Sequence, residues 1–386
     1  MTAPAAHYTP RNPFPARHIS NTRLSGASSS KDTRHHAISL AESGMTYQPG
    51  DALGVHPVND PALVDAILAR LGATGEEPAV DRHAQPSTLR HVLLHDYDIT
   101  APSRRLLEAC AERGAHGFST MLEKGHEEAL KAYFHAHDAS HDVLDVLDVL
   151  DQAQARAFTA DAFIAALRKI QPRLYSIASS LKAHPDEAHL TVVAVTYMVR
   201  GRARRGVCST FVNERWPESG TAGVYTQNQQ KHFAMPADPA TPMIMVGPGT
   251  GVAPFRAFLE ERAATGATGR NWLFFGEQRR ATEFFYEQEF DAWTRGGFLR
   301  LDTAFSRDQA EKVYVQHRMR DRARDIYAWL EDGAEFFVCG DKERMASDVD
   351  AELHRVIEQE GGRTPDQARE YVEDLRRAKR YKRDVY

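Results

Sequence analysis

Cysteine is scarce. The 386 residues contain three, Cys110, Cys208 and Cys339, far apart and with no CxxC pair and no HExxH run. That excludes a disulfide-stapled scaffold and gives no framework for zinc, so no metal is expected and each thiol is read as a buried filler or a reactive group. Long apolar runs are missing too. The longest, LTVVAVTYMV (190–199), is about half of what a bilayer-spanning helix of roughly 20 residues needs. The start, MTAPAAHYTPRNPFPARH, has no apolar core of signal-peptide type. Nor does one sign of charge dominate: 48 Lys and Arg stand against 53 Asp and Glu, a formal net charge of -5. No global field then recruits nucleic acid or an anionic membrane, and a soluble, cytoplasmic protein is expected, with basic patches left as local features.

What is present is enough apolar material, 42% of the residues, to fill two or three cores. Residues 1–15 are rich in Pro and Ala and are expected to be disordered. SGASSSKD (25–32) reads as a polar hairpin loop, and residues 34–55 as short barrel strands punctuated by Gly and Pro. From Asp60 the spacing turns helical in PALVDAILARLG, SRRLLEACAERG and HEEALKAYFHAH. DVLDVLDVLD (142–151) repeats apolar pairs every three residues, but it is too short for a repeat array and predicts an ordinary amphipathic helix. Strand texture returns in RLYSIASS (173–180) and HLTVVAVTYMVR (189–200), so the helices of 60–162 interrupt one barrel formed by 16–59 and 163–236. From 237 to 386 the pattern alternates: PMIMVG, NWLFFG, FLRLDTAF and EFFVCG are each followed by a helix. Continuously apolar strands alternating with helices predict a parallel sheet covered on both faces. The expected fold is a multidomain α+β and α/β chain: an antiparallel β-barrel with a helical insertion, then a parallel-sheet α/β domain.

The clearest local signal is PMIMVGPGTGVAPFRAFLEER (242–262), a buried strand running through GPGTG into a helix. Gly247, Gly249 and Gly251 let the backbone approach a phosphate, and the helix start supplies unpaired N–H groups and the positive dipole end. The spacing matches neither the usual dinucleotide fingerprint nor a Walker loop, so taken alone it also fits a tight structural turn. GEQRR (276–280) and AFSRDQAEKVYVQH (304–317) bring cations to strand ends, where open α/β sheets bind ligands. Where an NAD site would place an acid for the ribose hydroxyl, Ser306, Arg307 and Lys312 offer a hydroxyl and two cations beside Tyr314, which favours a 2'-phosphate over a merely solvated loop. FFVCGD (336–341) carries Cys339 and Asp341 to the same crevice. In RLYSIASS, period-two alternation puts Arg173 and Tyr175 on one face, able to hold a phosphate and stack a ring. GRARRGVCSTFV (201–212) reads as a basic loop, a Gly and a helix start at Cys208-Ser209-Thr210, a second pyrophosphate cradle. Two cradles on two folds imply two nucleotide cofactors.

RLYSIASS, GVCST, GPGTGVAPFRAF, FSRDQAEKVYVQ, FFVCGDKERM and the terminal RYKRDVY, in that order, together with YQPGDALGV, resemble the reductase module of NADPH-sulfite reductase flavoproteins. The wider diflavin reductases and ferredoxin-NADP reductases share that module, and the likeness runs from about Ala16 to Tyr386. The resemblance implies an FAD-binding barrel, a connecting insertion and an NADP-binding sheet, with FAD and NADPH as cofactors. It implies that Arg173, Tyr175 and Ser176 hold the FAD phosphate, stack on its ring system and hydrogen-bond near its reactive nitrogen, and that Gly206, Val207, Cys208 and Ser209 form the FAD pyrophosphate loop. Gly249, Thr250 and Gly251 would cradle the NADP pyrophosphate, and Ser306, Arg307, Lys312, Tyr314 and Gln316 the 2'-phosphate and adenine. Ser176, Cys339 and Asp384 would surround hydride transfer, with the terminal Tyr386 covering the flavin. An aromatic ring on the last residue then has something to lie against.

Proteins of this resemblance also carry a flavodoxin-like FMN domain, and this sequence starts where that domain would end. The expectation is therefore an FAD-dependent, NADPH-oxidising reductase that passes electrons singly to a separate protein: a sulfite reductase haemoprotein, a flavodoxin-like protein or a ferredoxin. A free-standing flavodoxin or ferredoxin reductase is the alternative within the enzymes, and a non-catalytic assembly subunit the alternative outside them.

Overall fold

The computed structural model describes residues 8–134, 144–153, 158–199 and 201–386. Residues 1–7, and parts of HEEALKAYFHAH and DVLDVLDVLD, lie outside those residues; within the stretch expected to be disordered, Thr9 and Asn12 form a bridge and Phe14 and Pro15 already belong to the first strand. The chain forms two compact units: residues up to Gly54 with Leu174–Val193 and Pro217–Tyr386, and Val55–Arg173 with Ala194–Trp216.

The first unit holds two sheets. Six strands lie in the order Arg173–Ser176, Ala52–Val55, Thr221–Gln227, Phe14–Arg23, Thr33–Ser39, Glu187–Val193. Phe14–Arg23 pairs antiparallel with Thr221–Gln227 and Thr33–Ser39, and the latter pairs antiparallel with Glu187–Val193. A bridge between Ile177 and Leu190 joins the chain just past the first strand of this order to the last, which closes the sheet into a barrel. Alternation puts Ala16 and His18 inward along Phe14–Arg23, and Ile38, Leu53, Leu190 and Val224 complete the filling. Residues 25–32 form the expected loop between two strands, tied by Ser25 Oγ, which donates to the Lys31 carbonyl (2.8 Å) and accepts the Thr33 N–H (3.1 Å).

The second sheet is parallel, with five strands in the order Leu299–Phe305, Asn271–Glu277, Met243–Val246, Glu335–Gly340, Tyr381–Val385. Its residues are apolar on both faces because helices cover both. Met243–Val246, first in the chain, lies in the middle, with its successor on one side and Glu335–Gly340 on the other. The strand order therefore reverses at its carboxyl end, where a crevice opens, and GPGTG leaves the sheet at that point. Gly249 has a φ of +59°, and a Cβ on Gly251 would lie 2.1 Å from the Cys339 carbonyl oxygen. Gly251→Ala is expected to cost about 3 kcal/mol through that backbone clash. Gly249→Ala meets only an ordinary van der Waals contact, Glu277 Oε1 at 3.5 Å, and costs its left-handed backbone, about 1–2 kcal/mol. Thermal unfolding of both variants checks the order; equal losses would show that the loop can lift off the strand.

The second unit is mainly helical. Asp60 caps Pro61–Leu71 by accepting the Ala62 N–H, Pro61 opens the helix, and Gly72 ends it at φ 69°. Ser103 caps Arg104–Ala111 in the same way. Their apolar faces, with Val64, Ile67, Leu68, Leu106, Leu107 and Cys110, pack with Val146–Ala153 and Phe163 into one core. The stretch expected as a basic loop is instead a strand, Arg202–Arg205, paired antiparallel with Thr196–Val199. So HLTVVAVTYMVR is two strands, Glu187–Val193 and Thr196–Val199, not one. Aspartates explain the difference: Arg204 is 6% exposed and donates to Asp148 (2.6 Å), while Arg202 grips Asp145 (2.6 Å). Cations with buried partners need no solvent, and breaking one such pair costs about 3–5 kcal/mol.

Candidate active site

The last strand, Tyr381–Val385, brings the chain end to the crevice of the parallel sheet. Its register sets Asp384 opposite Cys339. Ser176, 208 residues earlier at the end of a barrel strand, donates its hydroxyl to Asp384 Oδ2 at 2.7 Å. Cys339 Sγ lies 3.7 Å from the same oxygen. One carboxylate oxygen thus collects two donors, and the hydroxyl bond has the short length of a charge-assisted one. Cys339 is fully buried; burial and the Asp384 charge push its thiol well up, so it stays a neutral donor at physiological pH. Tyr386 is anchored through its backbone, its N–H to the Gly340 carbonyl (3.2 Å) and its carbonyl to the Lys342 N–H (3.1 Å). The residue is 64% exposed, with its hydroxyl 3.2 Å from Thr250 Oγ1. The expected catalytic residues Ser176, Cys339 and Asp384 therefore touch, and Tyr386 meets the GPGTG loop.

That loop runs as a single 3-10 turn, Gly249–Val252, into the helix Ala253–Thr265, whose start carries no side-chain cap. That turn already uses the Gly251 N–H, on the Pro248 carbonyl (3.1 Å), and the Ala253 N–H, on the Thr250 carbonyl, so what the entry offers an anion is chiefly the positive end of the helix dipole. Gly251 admits no Cβ because the Cys339 backbone lies against it, whereas Gly249 is half-exposed and meets only Glu277 Oε1 at 3.5 Å. Past the end of Leu299–Phe305, Ser306 is half-buried, with its N–H on the Glu277 carbonyl (2.9 Å), and Arg307 and Lys312 are exposed with no ion-pair partner among the described residues. Tyr314 stands 43% exposed at the head of the helix Val315–Asp321. Gln316 behaves differently: its amide donates to Asp348 (3.1 Å), a partner that the sequence did not reveal.

Of the residues expected at a flavin, Tyr175, Ser176 and Tyr386 belong to the first unit, and Arg173 with Gly206, Val207, Cys208 and Ser209 to the second. The helix there starts at Val207, one residue before the expected start, and lasts one turn, to Thr210. A Cβ at Gly206 would lie 2.7 Å from Ser209 Oγ and would have to displace that hydroxyl. Ser209 Oγ accepts the Val195 N–H (3.1 Å), and Cys208 is buried with its sulfur 3.8 Å from the Val55 carbonyl. These side chains fix the turn, and its backbone is tied as well, with the Gly206 N–H on the Val195 carbonyl (2.8 Å) and the Val207 carbonyl accepting from Arg215 (3.1 Å). A cavity of about 300 Å³ adjoins it, lined by Tyr197, Arg205, Val207 and Arg215 among others. Tyr197 and Arg215 escaped the sequence reading; Arg215, nine residues after Gly206, lies beyond the motif that drew attention. Arg173 is exposed on an open cleft with Arg104, Arg105, Arg168 and Lys169.

Residues 6–211 match the family model described as an FAD binding domain, more than half of the chain. The chain belongs to the FAD binding domain family. Residues 245–351 of this FAD-binding chain also match the oxidoreductase NAD-binding domain, so the two cofactors expected from sequence, FAD and a nicotinamide dinucleotide, are those of the matched families. The FAD-binding chain is similar to proteins named sulfite reductase [NADPH] flavoprotein alpha-component. Identity is 45% over 382 residues with that of Bacillus subtilis (98% of this chain, 62% of that protein). It is 44% over 383 residues with that of Vibrio cholerae (99% and 60%) and 42% over 389 with that of Aliivibrio fischeri (100% and 62%). The chain thus spans about three-fifths of the length of these relatives. Among the described residues no helix is long and apolar enough to cross a membrane.

Proposed function

We propose that this chain is an NADPH-oxidising flavoprotein reductase that passes electrons singly to a separate protein acceptor in the reduction of sulfite, a sulfite reductase haemoprotein being the favoured acceptor. The observation that carries the reading is the Ser176–Asp384–Cys339 contact, a hydroxyl, a carboxylate and a neutral thiol at the crevice of the parallel sheet. The relatives' names supply NADPH and sulfite. FAD, when bound, accepts a hydride as an electron pair and can return the electrons one at a time. The chain's own residues bind and orient. The barrel segments 16–59 and 163–236 take the flavin, with Tyr175 and Tyr386 offering aromatic faces, and Arg173 and the Gly206–Ser209 backbone its phosphates. Residues 237–386 take the dinucleotide, with Gly249–Gly251 on the pyrophosphate and Ser306, Arg307, Lys312 and Tyr314 on the 2'-phosphate and adenine. Ser176 and Asp384 fix the reacting rings between them, which supplies proximity.

The direct test is colour. Purified protein should be yellow and should bleach under anaerobic conditions on adding NADPH, then recover when an acceptor protein is supplied; a colourless protein, or one that NADPH leaves yellow, would end the proposal. Coenzyme choice tests the cation pair. Among the described residues Arg307 and Lys312 have no ion-pair partner to lose, so each gains a charge-assisted bond to a 2'-phosphate worth roughly 1.5–3 kcal/mol, and NADH offers them nothing. Arg307→Ala should raise KM for NADPH about tenfold or more and hardly change KM for NADH. Equal losses with both coenzymes would place Arg307 elsewhere.

A further inference from the structure

Between Ser180 and the strand Glu187–Val193 the chain makes a compact turn, HPDEAH (184–189). The His184 N–H bonds to the Ser180 carbonyl (2.9 Å), and Asp186 adopts a φ of 59° to bring the chain back. Glu187 and His189 are two apart in a strand and so share a face, and the turn folds His184 onto that face: the rings of His184 and His189 have centroids 4.3 Å apart. One ligand atom from each of His184, Glu187 and His189 lies within 4.8 Å of the other two, and among the described residues this is the one such group. His189 is 4% exposed, its Nε2 is 2.8 Å from Glu187, and its buried Nδ1 has no hydrogen-bond partner. A buried nitrogen without a partner carries an uncompensated desolvation cost, which native structures rarely leave standing.

We propose that His184, Glu187 and His189 form a binding site for a divalent transition-metal ion, with zinc as its occupant. Two imidazoles and one carboxylate suit zinc and disfavour calcium or magnesium, which take oxygen ligands. A triangle with 4.8 Å sides places each corner about 2.8 Å from its centre, so side-chain shifts below about 1 Å reach the 2.0–2.2 Å bonds of zinc. Glu260 supplies the outer partner: its Oε1 is 3.1 Å from His184 Nε2, an arrangement that orients a ligating histidine. The charges facing the group are Glu187 and Glu260 on one hand and Arg256 on the other, and Arg256 is held by Glu260 (2.8 Å) and Glu289 (2.8 Å). The neighbouring His35 ring packs edge-on to His189 at 4.8 Å with its Nδ1 on the Tyr286 hydroxyl (3.0 Å). Because Glu260 belongs to the helix Ala253–Thr265, the metal would staple the barrel turn to the helix that starts at GPGTG. The ligands are histidines and a glutamate spaced His-x-x-Glu-x-His, which is why the cysteine positions and the search for HExxH gave no hint of them.

The flavin-loaded protein, stripped with a chelator, should take up one zinc per chain in competition with a chromophoric zinc indicator, and its Tm should rise when zinc is added. His184→Ala and Glu187→Gln, at half-exposed positions that leave the core closed, should each weaken binding at least tenfold and abolish the Tm rise, as should His189→Ala if it folds. The exposed His232→Ala should change neither. Equal zinc uptake by wild type and the His184 and Glu187 variants would show adventitious surface binding and overturn the proposal, as would the absence of uptake by wild type.

Discussion

Asp384→Asn should slow flavin reduction by NADPH about a hundredfold while leaving NADPH affinity nearly unchanged. A nicotinamide that gives up hydride becomes cationic, so a fixed negative charge nearby is worth more in the transition state than before it. Under the proposed function Asp384 supplies that charge, and the structure holds it in place. It accepts the Ser176 hydroxyl at 2.7 Å and faces the Cys339 thiol at 3.7 Å, and its backbone belongs to a strand paired with Glu335–Gly340. Removing one preorganised electrostatic group from such a site costs about 10²–10³ in rate, and asparagine removes the charge without changing the shape. Anaerobic stopped-flow bleaching of the flavin measures the step. Ser176→Ala should lose less, because the carboxylate remains, and the double variant should lose less than the product of the two single losses, since the residues share one bond. A kcat unchanged in Asp384→Asn, or a loss confined to KM, would remove the charge from the chemistry and leave Asp384 as a structural partner of Ser176.

The strand–helix alternation after residue 237 was legible because each parallel strand is buried on both faces and reads as an unbroken apolar run. The crevice at GPGTG followed from that order, since the first strand has to lie at the reversal for the loop to reach a ligand. Resemblance grouped Ser176 with Asp384 around hydride transfer, but their mutual bond was not legible: nothing local relates residues 208 positions apart until the barrel and the sheet are both folded. GRARRG misled for the opposite reason. A run of arginines predicts a solvated loop only while its partners are unknown, and Asp145 and Asp148, more than 50 residues earlier, convert it into a half-buried strand. Gln316 matched a motif, but the carboxylate of Asp348 one helix away holds its amide. In each case the missing information was a long-range polar partner, which has no period for a sequence pattern to show.

Tyr386→Ala should raise the NADH/NADPH ratio of kcat/KM about two- to tenfold and shift the flavin absorbance bands. The chain end does not fray: two backbone hydrogen bonds, to Gly340 and from Lys342, hold the last residue at the sheet crevice. The residue nevertheless stays 64% exposed, and its hydroxyl lies 3.2 Å from Thr250 Oγ1. An anchored backbone with a free ring face is suited to covering a flat cofactor and leaving it. Under the proposed function the Tyr386 ring occupies the flavin face that the nicotinamide needs, so the side chain has to swing away in each turnover at a stacking cost of about 0.5–1.5 kcal/mol. A coenzyme with strong contacts elsewhere offsets that cost, and Arg307 and Lys312 give NADPH such contacts and NADH none. Deleting the ring removes the cost for both coenzymes, but only NADH was limited by it, hence the change in ratio. The variant should also release NADP+ more slowly, because no ring returns to displace the nicotinamide. Thr250→Val separates the two features of the residue, since it removes the hydroxyl contact and leaves the ring: it should change the ratio by much less than Tyr386→Ala. An unchanged ratio with an unchanged flavin spectrum in Tyr386→Ala would make this tyrosine an ordinary surface terminus.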